Sequence, residues 1–254
     1  MEWWQILLIV LGGLLLLLIL SIIFYKQFFK RFWDIVLSGL ALIVLSPLLL
    51  VLTIVDAIAM GGNPFFTQKR PGKKDKNGNE RIFKLIKFRS MSNKKDGSGN
   101  LLPDEQRLNK YGILLRSTSL DELPELMNIF VGNMSIIGPR PQLIKDMVFM
   151  TEEQRHRHDV RPGLSGLAQV NGRNNITWER KFECDLKYVS SITFFGDIGL
   201  ILLTILKVFK KADTVRDGTA SDIDFGDWLL LEGKVSDEEY RLKQKEAKKY
   251  LEAK

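Results

Sequence analysis

The chain has 254 residues, 45% hydrophobic and 26% charged, with 37 Lys and Arg against 30 Asp and Glu. That length is ample for one domain with appendages, while a single Cys excludes an internal disulfide framework and, with only two His, argues against a Cys/His zinc site. The net charge of +7 is segregated: residues 26–112 carry +9 and residues 213–254 carry −3. A basic stretch beside apolar segments suits an anionic membrane face. Nucleic acid, the competing reading of a pI near 9.4, leaves the apolar runs without a purpose.

Trp3–Tyr25 is an uncharged run of mostly Leu and Ile. As a helix it is about 34 Å long at ~1.5 Å per residue, enough to cross a hydrocarbon core of about 30 Å. Trp3, Trp4 and Tyr25 suit the two interfaces. A cleaved signal peptide fits less well, because Glu2 stands where a basic n-region belongs and no small-x-small site follows. Lys26, Lys30 and Arg31 come next, so the positive-inside bias puts the N-terminus outside and the rest of the chain in the cytoplasm.

Ile35–Val55 is also uncharged and long enough to span. Basic residues flank both ends: Lys26, Lys30 and Arg31 before it, and Lys69, Arg70, Lys73, Lys74 and Lys76 after it. A straight span would force one cluster outside. Ser46-Pro47 lies near the middle, where proline lacks an N–H and crowds the carbonyl of Ile43. A kink there lets the segment enter and leave by one face, with the Ser46 hydroxyl helping to satisfy freed backbone groups. The alternative is a kinked spanning helix.

Pro64–Arg70 and Arg81–Phe88 predict a hairpin around Asn77-Gly78 with a long polar connection, and Ser92–Gln106 predicts a loop. Leu120–Phe130, Gln142–His156, Trp178–Val189 and Ile198–Lys211 predict helices. In the last, Ile198, Ile201, Leu202, Ile205, Val208 and Phe209 follow helical spacing, suiting a core or a membrane interface equally. Arg161–Arg173, with three Gly and one Pro, predicts an irregular loop. Asp213–Leu231 predicts an acidic loop, and Ser236–Lys254 a charged helix opened by a capping box at Ser236 and Glu239. Two His at i and i+2 in 155–159 do not share a helix face, against a metal role. Cys184, with apolar neighbours, predicts a core residue.

Arg116–Pro141 is the stretch richest in chemistry. Ser119 and Glu122 have S-x-x-E spacing, which predicts a helix start with Ser119 as N-cap and Asp121 and Glu122 in the first turn. Acidic first turns are common for structural reasons alone. A carboxylate held ionised there also suits a nucleophile, which makes Asp121 a candidate. Glu122 beside it suits Mg²⁺, and Arg116 and Arg140 offer fork donors for phosphate oxygens. Such a set fits displacement at a diphosphate.

KFRSM (87–91), SLDELPEL-N (119–128), GNMSIIGPRP (132–141), RPGLSGLAQVNGR (161–173) and FECDLKYV (182–189) together resemble the bacterial sugar transferases, the monotopic phosphoglycosyl transferases. The likeness runs in order from about Lys26 to Lys211 and is strongest to small members acting in protein glycosylation. It implies a membrane-associated α/β fold. That fold comprises a re-entrant helix broken at Ser46-Pro47 (26–56) and a small cytoplasmic domain with a short β-hairpin and interfacial helices (57–212), to which the apolar run adds an N-terminal transmembrane helix (1–25). An acidic loop and charged helix (213–254) follow. Neither the first segment nor the last belongs to the small-family pattern.

The resemblance also implies a reaction. Asp121 would attack the β-phosphate of a UDP-sugar, UMP would leave, and polyprenyl (undecaprenyl) phosphate would take the sugar phosphate from the aspartyl intermediate. Glu122 would bind Mg²⁺. Family active-site positions fall on Lys87, Arg116, Arg140, Asp185 and Asp197, the first three as phosphate or nucleotide contacts. Arg161 and Arg173 are contacts or braces of their Gly-rich loop. The implied place is the bacterial inner membrane, with the catalytic domain on the cytoplasmic face against an anionic leaflet and no nucleic-acid partner. The added helix offers a surface for a homodimer. Two other readings stand beside the enzyme: a non-catalytic membrane scaffold of a glycan assembly complex, and a bitopic transporter fragment. The sequence does not name the sugar.

Overall fold

A computed structural model describes residues 2–100, 102–172, 176–209 and 223–252. Arg173, the Lys210-Lys211 pair and residues 213–222 lie outside the described residues. Helix α1 (Trp3–Ile23) is long and apolar enough to cross a membrane. Its Leu and Ile side chains are almost all exposed among the described residues. A π-helical turn, Tyr25–Phe29, leads into α2 (Lys30–Val44), and only Leu45 separates α2 from α3 (Ser46–Met60). The chain bends by 65° there. Pro47 has no N–H to return to the Ile43 carbonyl, and the Ser46 hydroxyl donates to that oxygen at 2.7 Å instead.

Strands β1 (Phe65–Lys74) and β2 (Glu80–Phe88) pair antiparallel, with Phe66 opposite Lys87, Gln68 opposite Leu85 and Arg70 opposite Phe83. The strands are longer and the connection shorter than expected. Asp75 Oδ1 accepts the N–H groups of Asn77 at 2.8 Å and Asn79 at 3.0 Å, and Gly78 takes the positive φ of 83° that tightens the turn. Helices α4 (Lys110–Ser117) and α5 (Glu125–Val131) follow. The Asn128 side chain on α5 accepts from Ile86 N–H at 3.0 Å and donates to Lys84 O at 2.8 Å, satisfying the outer edge of β2.

Helix α2 ties the apolar segments to this domain. Arg31 donates to Ile129 O at 2.6 Å and Phe130 O at 2.8 Å, at the C-terminal end of α5. Buried Asp34 accepts from Ser135 Oγ at 3.0 Å and Ile136 N–H at 2.9 Å on β3 (Ser135–Ile137). Strand β3 pairs in parallel with β4 (Gly163–Ser165), inside the stretch expected to be an irregular loop. The backbones approach so closely that a Cβ at Gly163 would sit 2.1 Å from Gly138 N, and one at Gly166 2.1 Å from Gly138 O. Glycine is required at these crossings.

The helix expected over 142–156 is instead two single turns, Ile144–Met147 and Glu152–Arg155. Thr151 starts the second afresh, its Oγ1 accepting from Gln154 N–H at 3.2 Å. Helix α6 (Trp178–Ser190) buries Trp178, Phe182, Cys184 and Tyr188, and α7 (Phe194–Phe209) leaves Leu202, Leu203, Ile205 and Leu206 exposed. Helix α8 (Phe225–Leu231) replaces part of the expected acidic loop, because Phe225 and Trp228, one turn apart, join Trp178 and Phe182 in an aromatic cluster. Helix α9 (Asp237–Glu252) begins as expected, with Ser236 Oγ accepting from Glu239 N–H at 3.2 Å.

Candidate active site

A cleft of about 430 Å³ lies over one face of the hairpin. Strand alternation builds its floor: Phe66, Gln68 and Arg70 from β1, with Leu85 and Lys87 from β2. Arg116, Asp121, Glu122, Arg140 and Asp185 also line it. Six of the seven site positions expected from the sequence therefore converge on one cavity.

The acidic pair is not presented as the spacing predicts. Asp121 and Glu122 occupy a 3-10 turn, Leu120–Glu122, and α5 begins only after Pro124. Ser119 makes no side-chain cap; it is the one non-glycine residue at positive φ (56°) among the described residues. Its carbonyl accepts from Glu122 N–H at 3.2 Å. A left-handed serine costs roughly 1–2 kcal/mol, and here it reverses the chain so that the end of α4 and the acidic turn face one cleft. The helix dipole therefore does not hold Asp121 ionised, as the capping pattern implied. Burial raises the pKa of its carboxyl and the Glu122 charge adds to the rise, with Lys87 opposing.

Glu122 has the opposite character. Its Oε1 accepts from Lys87 Nζ at 2.9 Å and from Arg140 Nη2 at 2.8 Å. Burial works against its charge, but Arg140 and Lys87 outweigh it and hold the carboxyl well below the usual range. Lys87 also lies 3.0 Å from Glu125 Oε1. Burial, opposed by Lys87, pushes Glu125 up to about 7. Lys87 is itself held charged, because Glu122 and Glu125 outweigh its desolvation. Two adjacent carboxyls are thus pushed apart, one firmly ionised and the other with a raised affinity for a proton.

The remaining candidates sort by position. Arg116 Nε donates to Ser90 Oγ at 2.9 Å beside the acidic turn. Asp185 is buried and accepts from Arg157 Nε at 3.0 Å and Nη2 at 2.7 Å, while Arg157 Nη2 also donates to Arg140 O at 2.7 Å. Asp185 thus acts on the site through Arg157, which fixes the backbone of Arg140. Asp197 is placed elsewhere. It accepts from Tyr25 OH at 2.7 Å, Lys30 Nζ at 2.5 Å and Tyr188 OH at 2.9 Å, bracing α7 against the start of α2 rather than lining the cleft. Arg161 braces its loop, donating from Nε to Gly132 O at 2.8 Å.

Sequence reasoning missed Arg157, Glu125, Arg70 and Gln169. Arg70 was accessible from period-two counting along β1 from Phe66. Arg157 is 1% exposed, and nothing local distinguishes it from the surface charges around it. Gln169 lines the cleft with both side-chain amide atoms buried and unpartnered.

Among the described residues no group of three or more His, Cys, Asp or Glu side chains is placed to hold a metal. Mg²⁺ commonly takes one or two protein carboxylates and completes its shell with water and substrate phosphate. Glu122 and Asp121 are the adjacent carboxyls in the cleft that would offer it oxygen ligands, with Glu122 Oε1 shared by Lys87 and Arg140.

A family model described as bacterial sugar transferase matches residues 25–211. The chain is 45% identical over 179 residues to the uncharacterized sugar transferase EpsL of Bacillus subtilis (strain 168), covering 70% of this chain and 86% of that protein. It is 37% identical over 191 residues to the UDP-glucose:undecaprenyl-phosphate glucose-1-phosphate transferase of Klebsiella pneumoniae, covering 71% of this chain but only 40% of that protein. It is 32% identical over 193 residues to the exopolysaccharide production protein ExoY of Rhizobium meliloti (strain 1021), covering 69% and 83%. The family-matched span holds the hairpin, the acidic turn and Arg140; α1, α8 and α9 lie outside it.

Proposed function

Because this chain belongs to the bacterial sugar transferase family, we propose that it transfers a sugar 1-phosphate from a UDP-sugar to polyprenyl (undecaprenyl) phosphate and releases UMP. The observation that carries the reading is the acidic turn Asp121-Glu122 in a cleft whose lining cations include Lys87, Arg116 and Arg140. In the first step an Asp121 carboxylate oxygen attacks the β-phosphorus of the UDP-sugar. The bond to the bridging oxygen breaks, UMP departs with that electron pair, and the sugar phosphate stays on Asp121 as an acyl phosphate. In the second step a phosphate oxygen of the polyprenyl phosphate attacks the same phosphorus. Asp121 leaves as carboxylate and polyprenyl-diphosphate-sugar forms.

Each neighbour has a part. The raised pKa of Asp121 makes its carboxylate more basic, and so a better nucleophile once ionised. Arg140, Arg116 and Lys87 offer donors to the phosphoryl oxygens as charge moves onto them. Arg157 and Asp185 keep Arg140 in register. Glu122, with Asp121 beside it, would hold Mg²⁺, which supplies charge neutralisation at a diphosphate.

The same reading places the chain in a bacterial inner membrane. Residues 1–25 span it with the N-terminus outside, residues 26–56 enter and leave by the inner leaflet, and residues 57–212 form the cytoplasmic catalytic domain. Of the segment 213–254, the described residues 223–252 pack on that domain through Phe225 and Ala247, and α1 is the surface through which two copies would meet. The 65° bend, the bare apolar faces of α1, α3 and α7 and the +9 charge of residues 26–112 support this placement. The name of the ExoY relative supports a place in polysaccharide assembly.

The test is UMP release from a panel of UDP-sugars with undecaprenyl phosphate. Wild type should release UMP with one sugar preferred, and Asp121→Asn should lower the rate by roughly three orders of magnitude. A rate indifferent to Asp121→Asn would favour the non-catalytic scaffold.

A further inference from the structure

Ile223 and Asp224 line the cleft although they lie beyond the family-matched residues 25–211. Several anchors fix them there. Trp178 Nε1 donates to Ile223 O at 3.2 Å, buried Asp146 accepts from Phe225 N–H at 2.9 Å, and Lys145 pairs with the Asp224 carboxylate. Phe225 is 3% exposed, packed among Trp178, Phe182 and Trp228. This wall is therefore built into the domain.

The hairpin register places it along the cleft. Lys87, bonded to Glu122, stands opposite Phe66. Arg70 lies four residues farther along β1, about 13 Å at ~3.3 Å per residue. Arg70 donates to Pro141 O at 3.1 Å, and Arg140, Asp146, Glu125 and Asp224 all act on its charge, so the wall stands on the Arg70 side of the cleft, beside Arg140. A nucleotide sugar centred on Asp121 extends a ribose in one direction and a hexose in the other, and both rings carry neighbouring hydroxyls. A carboxylate repels phosphate but accepts hydrogen bonds from two adjacent hydroxyls, while an aliphatic side chain beside it packs on ring C–H groups.

We infer that Ile223 and Asp224 bind the vicinal diol of one ring of the nucleotide sugar, so that a segment outside the family-matched span helps determine which substrate this enzyme accepts. The inference rests on the UDP-sugar reading above. Asp224 is a specificity residue in this scheme and takes no part in the chemical step.

The experiment uses the full chain. Wild type, Asp224→Ala and Lys145→Met are titrated calorimetrically with UMP, 2′-deoxy-UMP and the panel of UDP-sugars. If the ring is the ribose, Asp224→Ala weakens UMP about tenfold and 2′-deoxy-UMP much less; if it is the hexose, a UDP-sugar weakens about tenfold and UMP is unchanged. Lys145→Met keeps the carboxylate and weakens binding less than Asp224→Ala. The KM for polyprenyl phosphate stays within about twofold. Asp224→Asn replaces Asp224→Ala if the latter does not fold. A folded Asp224 variant that binds every ligand as wild type does overturns this inference and leaves the UDP-sugar reading standing. Wild type that binds neither UMP nor any UDP-sugar overturns that reading, and the inference with it.

Discussion

Lys87 is where the charges of the site cross. It touches Glu122 at 2.9 Å and Glu125 at 3.0 Å, so removing it leaves two buried carboxyls facing each other. Lys87→Met should destabilise the fold by about 3 kcal/mol, the cost of breaking a buried pair on one side. It should also lower UMP release at least about 100-fold through loss of a phosphoryl contact. Thermal unfolding and the release assay separate the two effects. His158 gives a second test at this scale. It is 4% exposed beside Glu80, and burial lowers it from 6.5 to about 4, against the pull of Glu80. The unfolded chain binds the proton more readily, so stability from this group is complete above about pH 6.5 and is lost as pH falls toward 4. The loss is on the order of 3 kcal/mol. His158→Gln should flatten that part of the stability-against-pH curve; an unchanged slope would mean that His158 binds its proton equally well in the folded and unfolded chain.

Elements were readable from sequence where their cause is local. The break at Ser46-Pro47 follows from a missing N–H and a hydroxyl that replaces it, and both act within one turn. The Asn77-Gly78 turn and the Ser236 cap are of the same kind. Ser119 had an equally good local signal and does not cap, because the chain must reverse there to bring Arg116 and Asp121 to one cleft. The β3–β4 pair was hidden for a related reason. It joins residues far apart in sequence, and its glycines report backbone approach rather than loop character. The break carries a topological prediction. With Cys184→Ser and Asp75→Cys, an impermeant thiol reagent outside intact cells should fail to label residue 75, whereas Ser46→Ala with Pro47→Ala should straighten the segment and admit labelling in part of the population. Labelling from outside of the Asp75→Cys chain that keeps Ser46-Pro47 would rule out the re-entrant path.

At the scale of the whole molecule, charge and hydropathy partition the chain more informatively than their averages do. A bare apolar helix, a bent apolar pair beside the +9 stretch and an exposed face on α7 lie apart from the polar cleft. Six of the seven expected site residues meet in that cleft because the hairpin, the acidic turn and the β3–β4 crossing each deliver one side of it. The sequence reads 213–254 as an acidic loop and charged helix, yet within its described residues Phe225 and Ala247 complete the cluster around Met147 and Val148. Charge composition masked their two or three buried positions. The proposed reaction is decided by whether Asp121 carries the sugar phosphate between two half-reactions. Purified chain incubated with the preferred UDP-sugar, labelled in its β-phosphate and without polyprenyl phosphate, should retain label on the protein. That label should be lost on adding polyprenyl phosphate and absent from Asp121→Asn. A wild type that turns over but never holds label, or an Asp121→Asn chain that still does, would contradict the covalent mechanism.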